Sequence, residues 1–294
     1  MHPRSNRGDY QSTDYEYHRI TFLTIHTKRP EQIMIFKKAL VSAALVATST
    51  LLLVGCSASP TSNVPAGSLT DSATAKATPT TAAAATFNAG GYLGGNAKPT
   101  LPDGESGKIA VVSQLLKPDG TGGASLLFAF RNNTDKAVSH VDFTATATAN
   151  GKLVATGESQ GTIPAQVRPG EAGLGYIFFE DASSIPSSGT TYDFKASSMP
   201  ADTSSFNTAP LTVSQATNNG TSVIGSAVNK TGKPLAGPYD VQIYCFAGNA
   251  LTDHVLDYTT ETADITAGAS VSFSTELYDA SCATYAVGVS GFFK

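Results

Sequence analysis

From Lys108 onward the chain alternates apolar and polar positions with a period of two. Val141, Phe143, Ala145 and Ala147 alternate with Asp142, Thr144, Thr146 and Thr148, which predicts a strand buried on one face. Asn150-Gly151 follows, a dipeptide suited to the positive φ angles of a two-residue hairpin, and Lys152 to Gly157 reads as the return strand. Upstream, Leu126, Phe128 and Phe130 alternate with Leu127 and Ala129. Downstream, Arg168-Pro169-Gly170 reads as a turn, Leu174, Tyr176 and Phe178 as one face of a strand, and Thr191 to Ser197 as the closing strand. Pro200 to Pro210 then interrupts the pattern.

The same order recurs from Leu211. Val223 to Val228 reads as a strand and Asn229 to Pro234 as a turn. Val241, Ile243 and Cys245 share a strand face, with Gly248-Asn249 as the hairpin after them. Ala267-Gly268 is a turn, Val271, Phe273 and Thr275 alternate, and Tyr285, Val287 and Val289 finish the unit. Residues 127–134 overlay residues 224–231 at an offset of 97, and Pro169-Gly170 falls on Ala267-Gly268 at 98. One inserted residue accounts for the drift. The expected fold class is all-β: two tandem immunoglobulin-like β-sandwich domains, 108–200 and 201–294, with a small barrel as the alternative.

The front of the chain has another pattern. Lys37-Lys38 precedes a moderately apolar run from Ala39 to Val54, shorter than the roughly 20 residues of a bilayer span. The run closes on Leu53-Val54-Gly55-Cys56, which resembles a bacterial lipobox: aliphatic residues, a small residue and the cysteine whose thiol receives lipid. On this reading 34–55 is a lipoprotein signal peptide and Cys56 the lipidation site. Residues 1–33 are then an over-extended start, or else a long cytoplasmic flank. Residues 56–107 are Ser/Thr/Ala/Pro/Gly-rich and read as a flexible tether. Its glycine-rich end, Ala89 to Asn96, lacks the Lys-Ser/Thr of a phosphate loop.

Charge changes on processing. Of 19 Lys/Arg and 23 Asp/Glu, seven and four precede Cys56, leaving 12 and 19 and a net charge near −7. An acidic chain of this kind is a poor partner for nucleic acid, which needs clustered cations. Beyond Cys56 the cysteines are Cys245 and Cys282. In an exported chain such a pair defaults to a disulfide, with two buried thiols as the alternative.

Three stretches of the second unit carry a family resemblance. They are Ile224-Gly225-Ser226-Ala227-Val228-Asn229-Lys230-Thr231-Gly232, the strand Val241 to Phe246, and Ala267 to Phe273. This half resembles the FxLYD-type and related immunoglobulin-like modules of bacterial surface lipoproteins. The first half departs from the pattern at Phe128 and Asp135, which stand where Gly225 and Gly232 stand. The resemblance implies an adhesion-like or structural extracellular module with no shared chemistry.

Candidate chemistry is sparse. His140 and His254 fall at non-corresponding positions, and no His-x-x-His, Cys-x-x-Cys or Ser-x-x-Lys spacing occurs. Glu180-Asp181 would point to opposite faces of a strand. Asp253, Asp257 and Asp264 are candidate calcium ligands, with solvated acidic loops as the plainer reading. Tyr239, Tyr244 and Phe246 read as a stripe opposite Val241, Ile243 and Cys245. The stripe is either an exposed surface for protein or glycan, or packed against the neighbouring repeat.

The expected protein is not an enzyme and needs no cofactor or metal. It is held by lipid at the extracytoplasmic face of the cell membrane and binds or scaffolds there, with an envelope protein or glycan as partner. The alternative is an extracytoplasmic hydrolase or solute-binding receptor. A deep pocket lined by His140 or His254 with carboxylates would favour that alternative.

Overall fold

Alternation dictates strands, and the computed structural model of the protein, which describes residues 83–294, is built from them. Cys56, the lipobox and the preceding residues lie outside the described region. The described strands are β1 (Gly94–Gly95), β2 (Ile109–Pro118), β3 (Ala124–Asn132), β4 (Val138–Ala149), β5 (Lys152–Ile163), β6 (Gln166–Val167), β7 (Ala172–Phe179) and β8 (Thr190–Pro200). They continue as β9 (Thr208–Asn218), β10 (Ser222–Val228), β11 (Leu235–Ala247), β12 (Ala250–Tyr258), β13 (Ser270–Glu276) and β14 (Thr284–Phe293).

Two sheets result. One runs β2-β3-β7-β5-β4-β6 with β8 on β4, and the other runs β12-β11-β14-β9-β10-β13 with β1 on β14. In each, one strand changes partner midway. β5 pairs with β4 up to Glu158 and with β7 from there to Ile163. β9 pairs with β14 through Leu211 and with β10 from Thr212. A strand that switches partners folds its sheet over a core, giving a sandwich-like body. The first core gathers Leu126, Phe128, Phe130, Phe143, Ile177 and Phe179. The second gathers Leu211, Val223, Val241, Ile243, Phe273 and Val287, and includes the disulfide Cys245–Cys282, whose Cα atoms are 4.8 Å apart.

The offset read from the sequence reappears as a repeated hydrogen-bond pattern. Asn132 Nδ2 donates to Lys136 O (2.7 Å) and Val167 O (2.9 Å), while its Oδ1 accepts from Thr134 Oγ1 (2.6 Å). Asn229 Nδ2 donates to Lys233 O (2.8 Å) and Thr266 O (3.1 Å), and its Oδ1 accepts from Thr231 Oγ1 (2.7 Å). Gly170 N and Gly268 N then donate to the carbonyls of Asn132 and Asn229. A buried asparagine here meets its own hydrogen-bonding needs by tying a strand end to a distant turn.

A third apolar layer lies between the sheets. The second faces of β3 and β7 supply Leu127, Ala129, Leu174 and Tyr176, and β11, β12 and β14 supply Tyr244, Phe246, Leu251 and Ala286. Small residues on β14 allow the approach: a Cβ on Gly288 would sit 2.7 Å from the side chain of Ile163. Lys117 on β2 pairs with Asp253 on β12 across the same boundary.

Two expectations are corrected here. Tyr239, Tyr244 and Phe246 form no exposed stripe, because all three are buried. Tyr239 also has the parity of Val241, Ile243 and Cys245 and joins their core, whereas Tyr244 and Phe246 enter the layer between the sheets. The described part of the expected tether, 83–107, is also packed. Leu93 and Leu101 are buried in the central layer, β1 pairs with β14, and the Asn88 side chain bonds both backbone groups of Leu93. Arg131, itself buried, ties this segment to the turn before β7 by donating to the carbonyls of Ala85, Leu101 and Pro102 on one side and of Gly170 on the other.

Candidate functional site

Where the sheets meet, the central layer does not close completely, and a cleft of about 290 Å³ opens along one edge. Its walls come from β4 and β5 on one side and β11, β12 and β14 on the other. Each side brings a carboxylate to it by the same local device. The register of β4 against β8 breaks between Ser139 and Asp142, and that of β11 against β14 between Ala236 and Asp240. Extra residues at such a break turn the strand and re-aim the side chain that follows. His140 lies within the first break with φ at 43°. Asp142 and Asp240 are 98 residues apart, the offset of the repeat.

Asp240 is held in the cleft by two side-chain hydrogen bonds. Its Oδ1 accepts from Ser290 Oγ at 2.6 Å and its Oδ2 from Gln242 Nε2 at 2.8 Å. Gln242 Oε1 in turn accepts from the buried Tyr244 hydroxyl at 2.9 Å. All these donors are neutral. Burial raises the Asp240 pKa above the usual carboxylate range, and the hydrogen bonds from Ser290 and Gln242 oppose the rise. Burial also raises the pKa of Asp142, with the nearby His140 acting against the shift and Glu158 adding to it. Among the described residues neither carboxylate is in an ion pair, and the cleft lining contains no Lys or Arg. The remaining lining includes Val141, Pro238, Leu256 and Phe292, with Tyr258 half-exposed beside Asp240 on the paired strand.

The two histidines separate. His140 lines the cleft. His254 is in the middle of β12, in the central layer, its ring 4.2 Å from that of Tyr176 and stacked at 6.1 Å on that of Tyr244. Its Nδ1 is buried with no hydrogen-bond partner among the described residues. Burial lowers its pKa to about 4, although Asp253 pulls the other way. His254 therefore belongs to the central layer and not to the cleft.

The other candidates do not converge. Asp253 is engaged by Lys117, Asp264 by Lys294, and Asp257 by the Tyr258 backbone N–H. Among the described residues no group of three or more His, Cys, Asp or Glu is arranged to hold a metal. Asp181 caps its own turn by accepting from Ser183. Sequence reasoning missed Asp240, Asp142, Gln242 and Ser290 as a group. The available signal was the 98-residue spacing of the two aspartates, each just beyond an interrupted strand pattern.

No protein-family model matches the chain, and no curated protein matches it.

Proposed function

We propose that this chain is a lipid-anchored protein of the extracytoplasmic membrane face, built as two tandem immunoglobulin-like domains, 108–200 and 201–294, that together form a non-catalytic binding module. The anchor part of the reading rests on Leu53-Val54-Gly55-Cys56 behind Lys37-Lys38 and an apolar run. The disulfide Cys245–Cys282 is consistent with an oxidising compartment.

The observation that carries the binding reading is the cleft at the junction of the two halves. Concave sites with apolar walls and a few fixed polar groups, placed between domains, are the usual form of a small-molecule site. A hydrolase is the second reading, favoured by His140 beside Asp142 and Asp240 in that cleft. The hydrogen bonding favours binding instead. The one serine lining the cleft, Ser290, directs its proton to Asp240 and not to a histidine. A serine nucleophile requires a base that takes its proton, and a carboxylate already held by two donors is poorly suited to that task.

Intact mass of the protein extracted from membranes, before and after reduction, tests this reading. The expected mass is that of a chain beginning at acylated Cys56, gaining two hydrogen atoms on reduction. A chain retaining Met1 or Met34 without lipid overturns the anchor. Turnover of ester or phosphoester substrates that is lost in His140→Ala overturns the non-catalytic part.

A further inference from the structure

We propose that the cleft between the halves is a binding site for a small organic cation, an amine carried on an apolar or aromatic group. The inference deepens the binding reading above and rests on it. Its first support is shape. The cavity is enclosed on two sides by rigid strands, and its volume of about 290 Å³ suits a fragment-sized molecule.

Its second support is unbalanced charge. Asp142 and Asp240 enter from opposite halves, and no Lys or Arg lines the space between. Asp240 keeps its place through Ser290 and Gln242, which supply hydrogen bonds but no charge. A desolvated carboxylate held only by neutral donors gains most from a ligand that brings the missing positive charge. The third support is the character of the walls. Leu256, Pro238 and Phe292 supply apolar surface, and the Tyr258 ring stands 56% exposed next to Asp240. Aromatic faces attract cations, and apolar walls accept the carbon skeleton that carries them. The carboxylates belong to no cluster of three or more metal-type ligands among the described residues.

The test is calorimetric titration of the mature protein with benzylammonium chloride, against benzyl alcohol as the neutral isostere. Saturable one-to-one binding of benzylammonium is expected, with the alcohol weaker by about tenfold or more, the scale of one charge-assisted hydrogen bond. Asp240→Asn is expected to weaken benzylammonium by a similar factor and to leave benzyl alcohol unchanged. If Asp240→Asn does not fold, Asp142→Asn on the cleft wall reads the same charge, with a several-fold loss expected. Absence of saturable binding, equal binding of amine and alcohol, or indifference to the folded charge-removing variant would each overturn the proposal. The membrane mass measurement does not depend on the cleft. A cleft that binds no amine thus leaves the anchor reading intact, and a chain without lipid leaves the titration result intact.

Discussion

The turns at Asn132 and Asn229 use the same hydrogen bonds, yet the residues just before them differ: Arg131 in the first half, Val228 in the second. In the first half the buried guanidinium reaches four carbonyls and ties the 83–107 segment to the domain. In the second half the equivalent position carries no polar reach, and an extra covalent link lies in the core, Cys245–Cys282. The first core relies on packed phenylalanines, with Phe128 and Phe143 rings 4.7 Å apart and Phe130 and Phe143 5.1 Å apart. The comparison teaches that strand order and the asparagine turn define the frame, while each half secures it by a different interaction.

Breaking the disulfide should have the largest effect. It closes a separation of 37 residues. Its replacement by Cys245→Ser with Cys282→Ser should lower stability by about 4 kcal/mol. The loss would appear as a lower urea midpoint, with the phenylalanine core of the first half unaltered in near-ultraviolet spectra. Next, Arg131→Met removes the donor from four carbonyls and should cost about 3 kcal/mol, whereas Val228→Met at the matching position should change stability by less than about 1 kcal/mol. Equal effects at the two positions would sink the assignment of Arg131 as the clamp.

Acid should act mainly through His254. Its folded pKa, about 4, lies below the ordinary value of 6.5. The unfolded chain therefore binds more protons between those values, and stability rises with pH. The contribution is fully present above about pH 6.5 and is lost as pH falls toward 4, amounting to about 3 kcal/mol. Asp240, with its raised pKa, works in the opposite sense at the acid end. His254→Phe should flatten the loss between pH 6.5 and 4 in denaturant titrations. A further pair sharpens the likeness: Asn132→Ala and Asn229→Ala should cost similar amounts, about 2 kcal/mol each.

Much of this frame was legible in the chain. Asn150-Gly151 makes its hairpin with both residues at positive φ, and the turns at Gly170 and Gly268 lie where the offset places them. The disulfide followed from two cysteines. The second buried face of β3 and β11 was harder to read. Leu126 to Phe130 and Ile243 to Ala247 are unbroken apolar runs, the mark of a strand covered on both sides. Reading them as one-sided strands left Tyr244 and Phe246 either exposed or packed against the neighbouring repeat, and the packed arrangement is the one found. The packing of residues 83–107 had no local signal, because Leu93, Leu101 and the carbonyls that Arg131 binds are fixed by partners far along the chain. The cleft carboxylates stayed hidden for the same reason: Asp142 and Asp240 line one cleft only when the two sheets dock.

The claim on which the cleft depends is that the central layer makes the two halves one cooperative body. Scanning calorimetry of the protein tests it most directly. A single transition whose calorimetric and van't Hoff enthalpies agree is the predicted result. Two resolved transitions, with Tyr244→Ala shifting neither, would contradict it.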